Sequence, residues 1–205
     1  MKRVLDVIVA WVGLMLLGPL FAGAAVLIKA DTPGPVFFRQ ERIGRGFRPF
    51  RIYKFRTMVK DAPSKGGTLT ASGDSRITRI GKMLRQTKID ELPQLINILR
   101  CDMSLVGPRP EVRQYVELFR EQYETILAVR PGLTDLASIK YRDESAILAR
   151  SENPEQEYIQ RILPDKLRLG EEYVRRSSLV LDLALIFKTI LALISRKYVD
   201  PLSLS

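Results

Sequence analysis

Asp90 and Glu91 stand side by side in the stretch TKIDELPQLINIL, and Pro93 follows almost at once. Proline is accepted in the first turn of a helix and rejected further in, so a helix is expected to begin close to this pair, with Asp90 at or beside the N-cap and Glu91 in the first turn. Acids placed there satisfy free backbone donors and the helix dipole. The same place suits phosphate chemistry, because a helix start attracts anions. Arg85 shortly precedes the pair, and Arg109 follows it in the rigid turn GPRP. A carboxylate among arginines stays ionised and can attack phosphorus, while a second carboxylate can hold a divalent cation that neutralises developing charge. A salt-bridge network that only joins helices uses the same residue types. Residue types alone leave both readings open.

The composition narrows the chemistry. The 205 residues contain no His, which removes imidazole bases, His-containing triads and His-ligated metals, so acid-base and metal chemistry must use carboxylates. Cys101 is the single cysteine, which excludes an internal disulfide and a Cys-cluster zinc site and fits a reducing compartment. As a lone thiol after an apolar run it reads as a packing residue. The net charge of +10 calls for anionic partners: phosphate-bearing small molecules, anionic phospholipid or nucleic acid. Nucleic acid ranks last, because no recognition motif is present and an apolar N-terminal segment is.

That segment runs from Val7 to Ile28, 22 residues without a charge. At about 1.5 Å per residue it is long enough for a bilayer core of roughly 30 Å. It is too long for the apolar part of a signal peptide. As a simple span it would carry conflicting signals, since Lys2 and Arg3 precede it and Lys29, Arg39 and Arg42 follow. Gly18-Pro19 near its middle resolves the conflict, because a helix that breaks there and returns leaves both basic ends on one side. The expected organisation is a re-entrant helix-break-helix over 1–30 and a catalytic domain over 31–205, α+β in class and predominantly helical.

The elements that must position the acids follow. DTPGPVFF is an exit linker, and the β-branched and aromatic residues on either side of Gly44-Arg45-Gly46 predict a β-hairpin. Between Val36 and Lys60 there are eight basic residues and one acid, Glu41. This ribbon suits lipid headgroups, and Lys54 and Arg56 within it suit a substrate phosphate. Residues 60–75 read as a loop, a lid being one use for it. A helix is expected from Arg76, another through Leu92 and Leu99, one across EVRQYVELFREQYETILAVR, and an amphipathic one with a break at Pro164. LTDLASIKY reads as a short stretch with one strand. The tail SLVLDLALIFKTILALIS is interrupted by Asp182 and Lys188, so it is expected buried or at a membrane surface, against lipid or another subunit.

Long ordered motifs carry a resemblance across nearly the whole chain: KRVLDVIVA, GPVFFRQERIGRGFRPFRIYKFRTM, RITRIGKMLRQTKIDELPQLINILRCDMSLVGPRPE and RPGLTDLASIKYR. The chain resembles the small monotopic polyprenyl-phosphate phosphoglycosyl transferases, the bacterial sugar transferase family that starts surface-polysaccharide and glycan assembly. The resemblance implies a re-entrant helix at Gly18-Pro19, with the remainder on the cytoplasmic face of the bacterial inner membrane. It implies that Asp90 attacks a UDP-sugar, that UMP leaves, and that the phosphosugar passes from Asp90 to polyprenyl (undecaprenyl) phosphate. Glu91 would ligate Mg²⁺. Lys54, Arg85 and Arg109 would bind phosphate, with Arg142 a further candidate. A basic monotopic scaffold on anionic lipid is the non-enzyme alternative, and a homo-oligomer is left open. Three departures stand out: Gly18 where relatives often have Ser, Cys101 where Gly is usual, and DLASIKYRD in place of GWAQVNGR. The sugar is not named by these residues.

Overall fold

The computed structural model describes residues 2–62 and 69–195; residues 63–68 of the expected 60–75 loop lie outside them. The apolar run forms α1 (Lys2–Leu16) and α2 (Gly18–Asp31), whose axes bend by 60° at Leu17. The break falls where expected, because Pro19 in the first turn of α2 offers no backbone N–H to continue α1. Among the described residues no single helix is long and apolar enough to cross a membrane.

Both ends of this bent pair are fastened to the same folded body. At the start of α1, the Lys2 ammonium donates to the Val106 carbonyl (2.9 Å), to the Tyr173 hydroxyl (2.8 Å) and to Asp182 (2.5 Å). Arg3 donates to the carbonyls of Met103 and Ile98. Asp6 is buried and accepts from Ser104 Oγ (2.7 Å) and the Leu105 N–H (3.0 Å). At the end of α2, Asp31 accepts from the Ile80 N–H at 3.0 Å.

The hairpin is present as β1 (Phe37–Ile43) and β2 (Pro49–Phe55), antiparallel and paired from Phe37 with Phe55 to Ile43 with Pro49. The next helix, α3 (Arg79–Gln86), starts later than expected. Thr78 takes the N-cap and accepts from the Gly81 N–H at 3.0 Å, while Ile77 pairs with Met58 as a β-bridge. Gly81 is required for this packing, since a Cβ there would lie 2.0 Å from the Thr57 carbonyl oxygen. Then come α4 (Gln94–Leu99) and the short strand β3 (Ser104–Val106). Cys101, expected in the core, is exposed at φ 65°. It is the left-handed residue that ends α4, a position where glycine carries no Cβ penalty.

The single helix expected over 111–130 is two, α5 (Arg113–Leu118) and α6 (Arg120–Ile126), because Phe119 leaves helical geometry at φ −121° and ψ 42°. LTDLASIKY divides into β4 (Gly132–Thr134), parallel to β3, and the helix α7 (Leu136–Lys140), capped by Asp135 accepting from the Ser138 N–H at 2.6 Å. After α8 (Glu144–Leu148) and α9 (Pro154–Glu157), the chain passes through a wide turn over Tyr158–Ile162 into α10 (Leu163–Arg176). Pro164 therefore sits in the first turn of α10, and the expected break becomes a widened turn. The chain ends its described part in α11 (Leu179–Ser195).

One side chain joins the hairpin to α4. Asn97 is fully buried; its amide oxygen accepts from the Tyr53 N–H (2.9 Å), and its amide nitrogen donates to the Arg51 carbonyl (2.8 Å) and to Asp102 (3.2 Å). It occupies the edge of β2 away from β1 as a neighbouring strand would. Asn97→Ala would leave a buried N–H and a buried carbonyl unpaired, so unfolding free energy should fall by about 3 kcal/mol. Denaturant unfolding of the purified protein in detergent measures this, and a loss below about 0.5 kcal/mol would show that the edge is held by other contacts.

Candidate active site

The Asp90-Glu91 pair is presented by a reversal of the backbone. Thr87 Oγ1 donates back to the Met83 carbonyl (2.9 Å), and Lys88 then takes the left-handed conformation at φ 58°. That turn costs a residue with a Cβ about 1 to 2 kcal/mol and throws the chain sideways out of α3. Ile89–Glu91 form one tight 3₁₀ turn, and the bonds donated by Glu91, Leu92, Leu95 and Ile96 all reach back three residues. Asp90 is therefore not the N-cap of α4. The helix proper starts at Gln94, one residue after Pro93.

Glu91 is the electrostatic centre of the site. Its Oε1 accepts from Lys54 Nζ at 2.9 Å and also from Arg109 Nη2, so two cations share one carboxylate oxygen. Burial alone would raise the Glu91 pKa, but Arg109, Lys54 and Lys88 hold it well below the usual carboxylate range. Burial lowers the pKa of Lys54, with Glu91 opposing and Arg109 adding to the fall. Asp90 responds in the opposite sense: burial, reinforced by the neighbouring negative charge of Glu91, pushes its carboxyl above the ordinary aspartate value, and Lys54, Arg85 and Lys88 offset part of the rise. Asp90 Oδ1 is buried without a hydrogen-bond partner. Two adjacent acids are thus driven apart, one firmly ionised and paired, the other desolvated and unspent.

The structure brings Lys54, Asp90, Glu91 and Arg109 together and keeps Arg85 in their field. Arg85 donates through Nε to Thr57 Oγ1 at 2.8 Å, and burial lowers its pKa against the pull of Asp90. Arg56 is tied to the end of α2. Its guanidinium donates to the carbonyls of Pro33 (2.7 Å), Thr32 (2.7 Å) and Ile28 (3.3 Å), closing the open end of α2. Gly34, at φ 131°, makes room for it, since a Cβ there would lie 2.0 Å from Arg56 Nη1. Arg142 donates to the Ala192 carbonyl of α11, while its own carbonyl accepts from Lys88 Nζ at 3.1 Å.

Sequence reading missed three contributors. Lys88 acts on both acids by charge, and its left-handed backbone aims them. Asp135, fully buried, accepts from the Arg109 N–H at 3.1 Å and fixes the turn that carries this guanidinium. Asn97 holds the strand that carries Lys54. A lone Asn in the otherwise apolar LINIL was a signal for the last; an Asp before an apolar run signalled only a cap in the case of Asp135.

Lys54, Arg56, Arg85, Lys88, Asp90, Glu91, Arg109, Asp135 and Arg142 line one cavity of about 1500 Å³. Among the described residues no group of three or more acids or other ligating side chains could hold a metal unaided. Mg²⁺ characteristically takes one or two carboxylates and fills its remaining positions with water and substrate phosphate. The unpartnered Asp90 Oδ1 beside the Glu91 carboxylate fits that donor set.

A model described as "Bacterial sugar transferase" matches residues 1–196. The chain belongs to the bacterial sugar transferase family. It is 39% identical over 197 residues to a UDP-N-acetylgalactosamine-undecaprenyl-phosphate N-acetylgalactosaminephosphotransferase of Aeromonas hydrophila, covering 92% of this chain and 42% of that protein. It is 38% identical over 197 residues to the UDP-glucose:undecaprenyl-phosphate glucose-1-phosphate transferase of Caulobacter vibrioides, covering 95% of this chain and 70% of that one. It is 37% identical over 206 residues to the exopolysaccharide production protein PSS of Rhizobium leguminosarum, covering 96% of each. The chain thus spans less than half of the first relative and nearly all of the last.

For this bacterial sugar transferase the opposed pKa shifts predict a titration. The Asp90 carboxyl should lose its proton above the pH at which an ordinary aspartate does. Lys54→Met removes a positive charge that favours the ionised form, so it should move that titration to still higher pH. Carboxyl carbon NMR of aspartate-labelled protein reads it directly. An unchanged or lower midpoint in the variant would contradict the electrostatic account.

Proposed function

We propose that this protein transfers a sugar-1-phosphate from a UDP-sugar to polyprenyl phosphate through a covalent phosphosugar on Asp90. The observation that carries the reading is the division of labour between the two acids: Glu91 already pairs with Lys54 and Arg109, which leaves Asp90 with a buried, unpartnered oxygen in the same cavity. The relatives support the substrate classes, since those of Aeromonas hydrophila and Caulobacter vibrioides are named for a UDP-sugar donor and an undecaprenyl-phosphate acceptor.

In the first step an oxygen of the ionised Asp90 forms a bond to the phosphorus that bears the sugar. The bridging bond between the two phosphates breaks, and UMP departs with the electron pair. Lys54, Arg85 and Arg109 draw the diphosphate in and stabilise charge on its oxygens. A phosphate dianion near Glu91 competes for Lys54 and Arg109, so binding redistributes these cations from Glu91 toward the substrate. In the second step a phosphate oxygen of the polyprenyl acceptor attacks the same phosphorus. The bond to Asp90 breaks, its carboxylate is regenerated, and a polyprenyl-diphosphate-sugar is formed. Mg²⁺, held by Asp90 and Glu91 together with the donor diphosphate, would supply neutralisation of the phosphoryl oxygens. Because Asp90 must be ionised to attack, its raised pKa makes the reaction fall away as pH drops through that value.

The re-entrant reading of α1 and α2 rests on the attachment of both their ends to one body, through Lys2, Arg3 and Asp6 at one end and Asp31 and Arg56 at the other. With that body at the cytoplasmic face of the inner membrane, the bent pair dips into one leaflet and returns.

Wild type incubated with UDP-sugars, Mg²⁺ and polyprenyl phosphate should release UMP, and Asp90→Asn should reduce release by at least about a thousandfold. Equal release by the two proteins would remove Asp90 from the role of nucleophile. For topology, single cysteines at Arg3 and Gln40 in a Cys101→Gly background should react with an impermeant thiol reagent from the same side of sealed vesicles. Labelling from opposite sides would reject the re-entrant arrangement.

A further inference from the structure

The helix α11 has its polarity reversed. Its inward residues include Asp182, which takes the Lys2 ammonium and the Tyr173 hydroxyl (2.6 Å), and Thr189, whose Oγ1 shares a 2.6 Å hydrogen bond with Thr134. Lys188 is buried as well. The opposite face carries Val180, Leu183, Phe187 and Ile190, exposed by 78, 51, 61 and 48%. These four recur at helical spacing, whereas a water-facing helix would turn its polar residues outward.

The apolar face does not stop at the outside of the molecule. Ile186, Ile190 and Leu193 of α11 line the cavity that holds Asp90, and Ile190 and Leu193 are at the same time exposed. An apolar edge therefore leads from the outer stripe into the cavity that also holds Lys54, Arg85 and Arg109 beside Asp90. The hairpin side of the cavity offers one exposed apolar residue, Phe38, between cationic neighbours such as Arg39 and Arg42, and suits a phosphate better than a hydrocarbon.

We propose that the Ile186, Ile190 and Leu193 edge of α11 holds the first isoprene units of the acceptor while its phosphate reaches Asp90. This rests on the polyprenyl-phosphate reading given above. The occupant is a lipid chain rather than a second copy of the protein for two reasons. The edge continues into the cavity, where a slender isoprenoid can follow and a protein surface cannot. Two chains of net charge +10 also repel.

A polyprenyl phosphate bearing a diazirine in its first isoprene units, incorporated in nanodiscs with the full chain and irradiated, should form adducts at Ile190 or Leu193. Adducts at Phe38, or on α1 or α2 alone, would overturn the proposal, as would crosslinks joining two copies through Phe187. This readout does not require turnover, so failure of the transfer reaction and failure of the α11 edge are separable. In kinetics, Ile190→Asp should raise KM for a long-chain polyprenyl phosphate by at least about tenfold more than KM for UDP-sugar, the order expected when one buried aliphatic contact is lost. It should affect a short water-soluble prenyl phosphate much less, and Ile190→Leu should retain wild-type behaviour. Equal losses with both acceptors, or no loss with either, would count against the edge.

Discussion

A single oxygen of Glu91 accepts hydrogen bonds from two cations, and the architecture of the site follows from that sharing. Lys54 arrives on a strand, Arg109 on the turn after β3, and Glu91 on the tight turn ahead of α4. Three separate pieces of chain are drawn to one point in a partly desolvated place, where charge pairing is stronger than in water and an unpaired member would be expensive. Each piece then needs its own support. Asn97 supplies it for the strand, Asp135 for the Arg109 turn, and the left-handed Lys88 for the turn that carries the acids. Asn97 and Asp135 are more deeply buried than the Lys54 and Arg109 they support, as expected where geometry must hold while ligands exchange.

What the sequence makes legible is what local chemistry controls. The Gly18-Pro19 break and the hairpin around Gly44 and Gly46 can be read from residue type and spacing, and the gathering of Lys54, Arg85 and Arg109 about Asp90 and Glu91 from the family resemblance. The rest depends on contacts between distant parts of the chain. Lys54 lies in β2 and Arg56 just beyond its end, and only the docked end of α2 decides that Arg56 spends its hydrogen bonds on carbonyls. The helix expected at Asp90 begins later because the Lys88 reversal, which no helix propensity signals, intervenes. Phe119 divides a segment that periodicity presents as one helix, and Cys101 stands in solvent in a backbone conformation that its composition-based reading as a packing residue did not anticipate.

Reversed polarity is a theme of the outer helices. α1 buries Asp6 and exposes Val4, Ile8 and Trp11, and α11 buries Asp182 and exposes Phe187. In both, the buried acid is used to tie the helix to the body, so the outer surface is left free to be apolar. Such helices are held by polar contacts inside and turn apolar faces outward, the opposite of an ordinary surface helix.

The clasp between Lys2 and Asp182 joins residues 180 positions apart. During synthesis the bent pair is made well before the partner for its first turn. The pair must therefore wait, and the medium in which it waits has to be one that tolerates an unsatisfied apolar helix. Closure of the clasp has to await α11, which couples the seating of the bent pair to the arrival of that helix. A chain interrupted before α11 would have its entry segment in place and no latch to hold it.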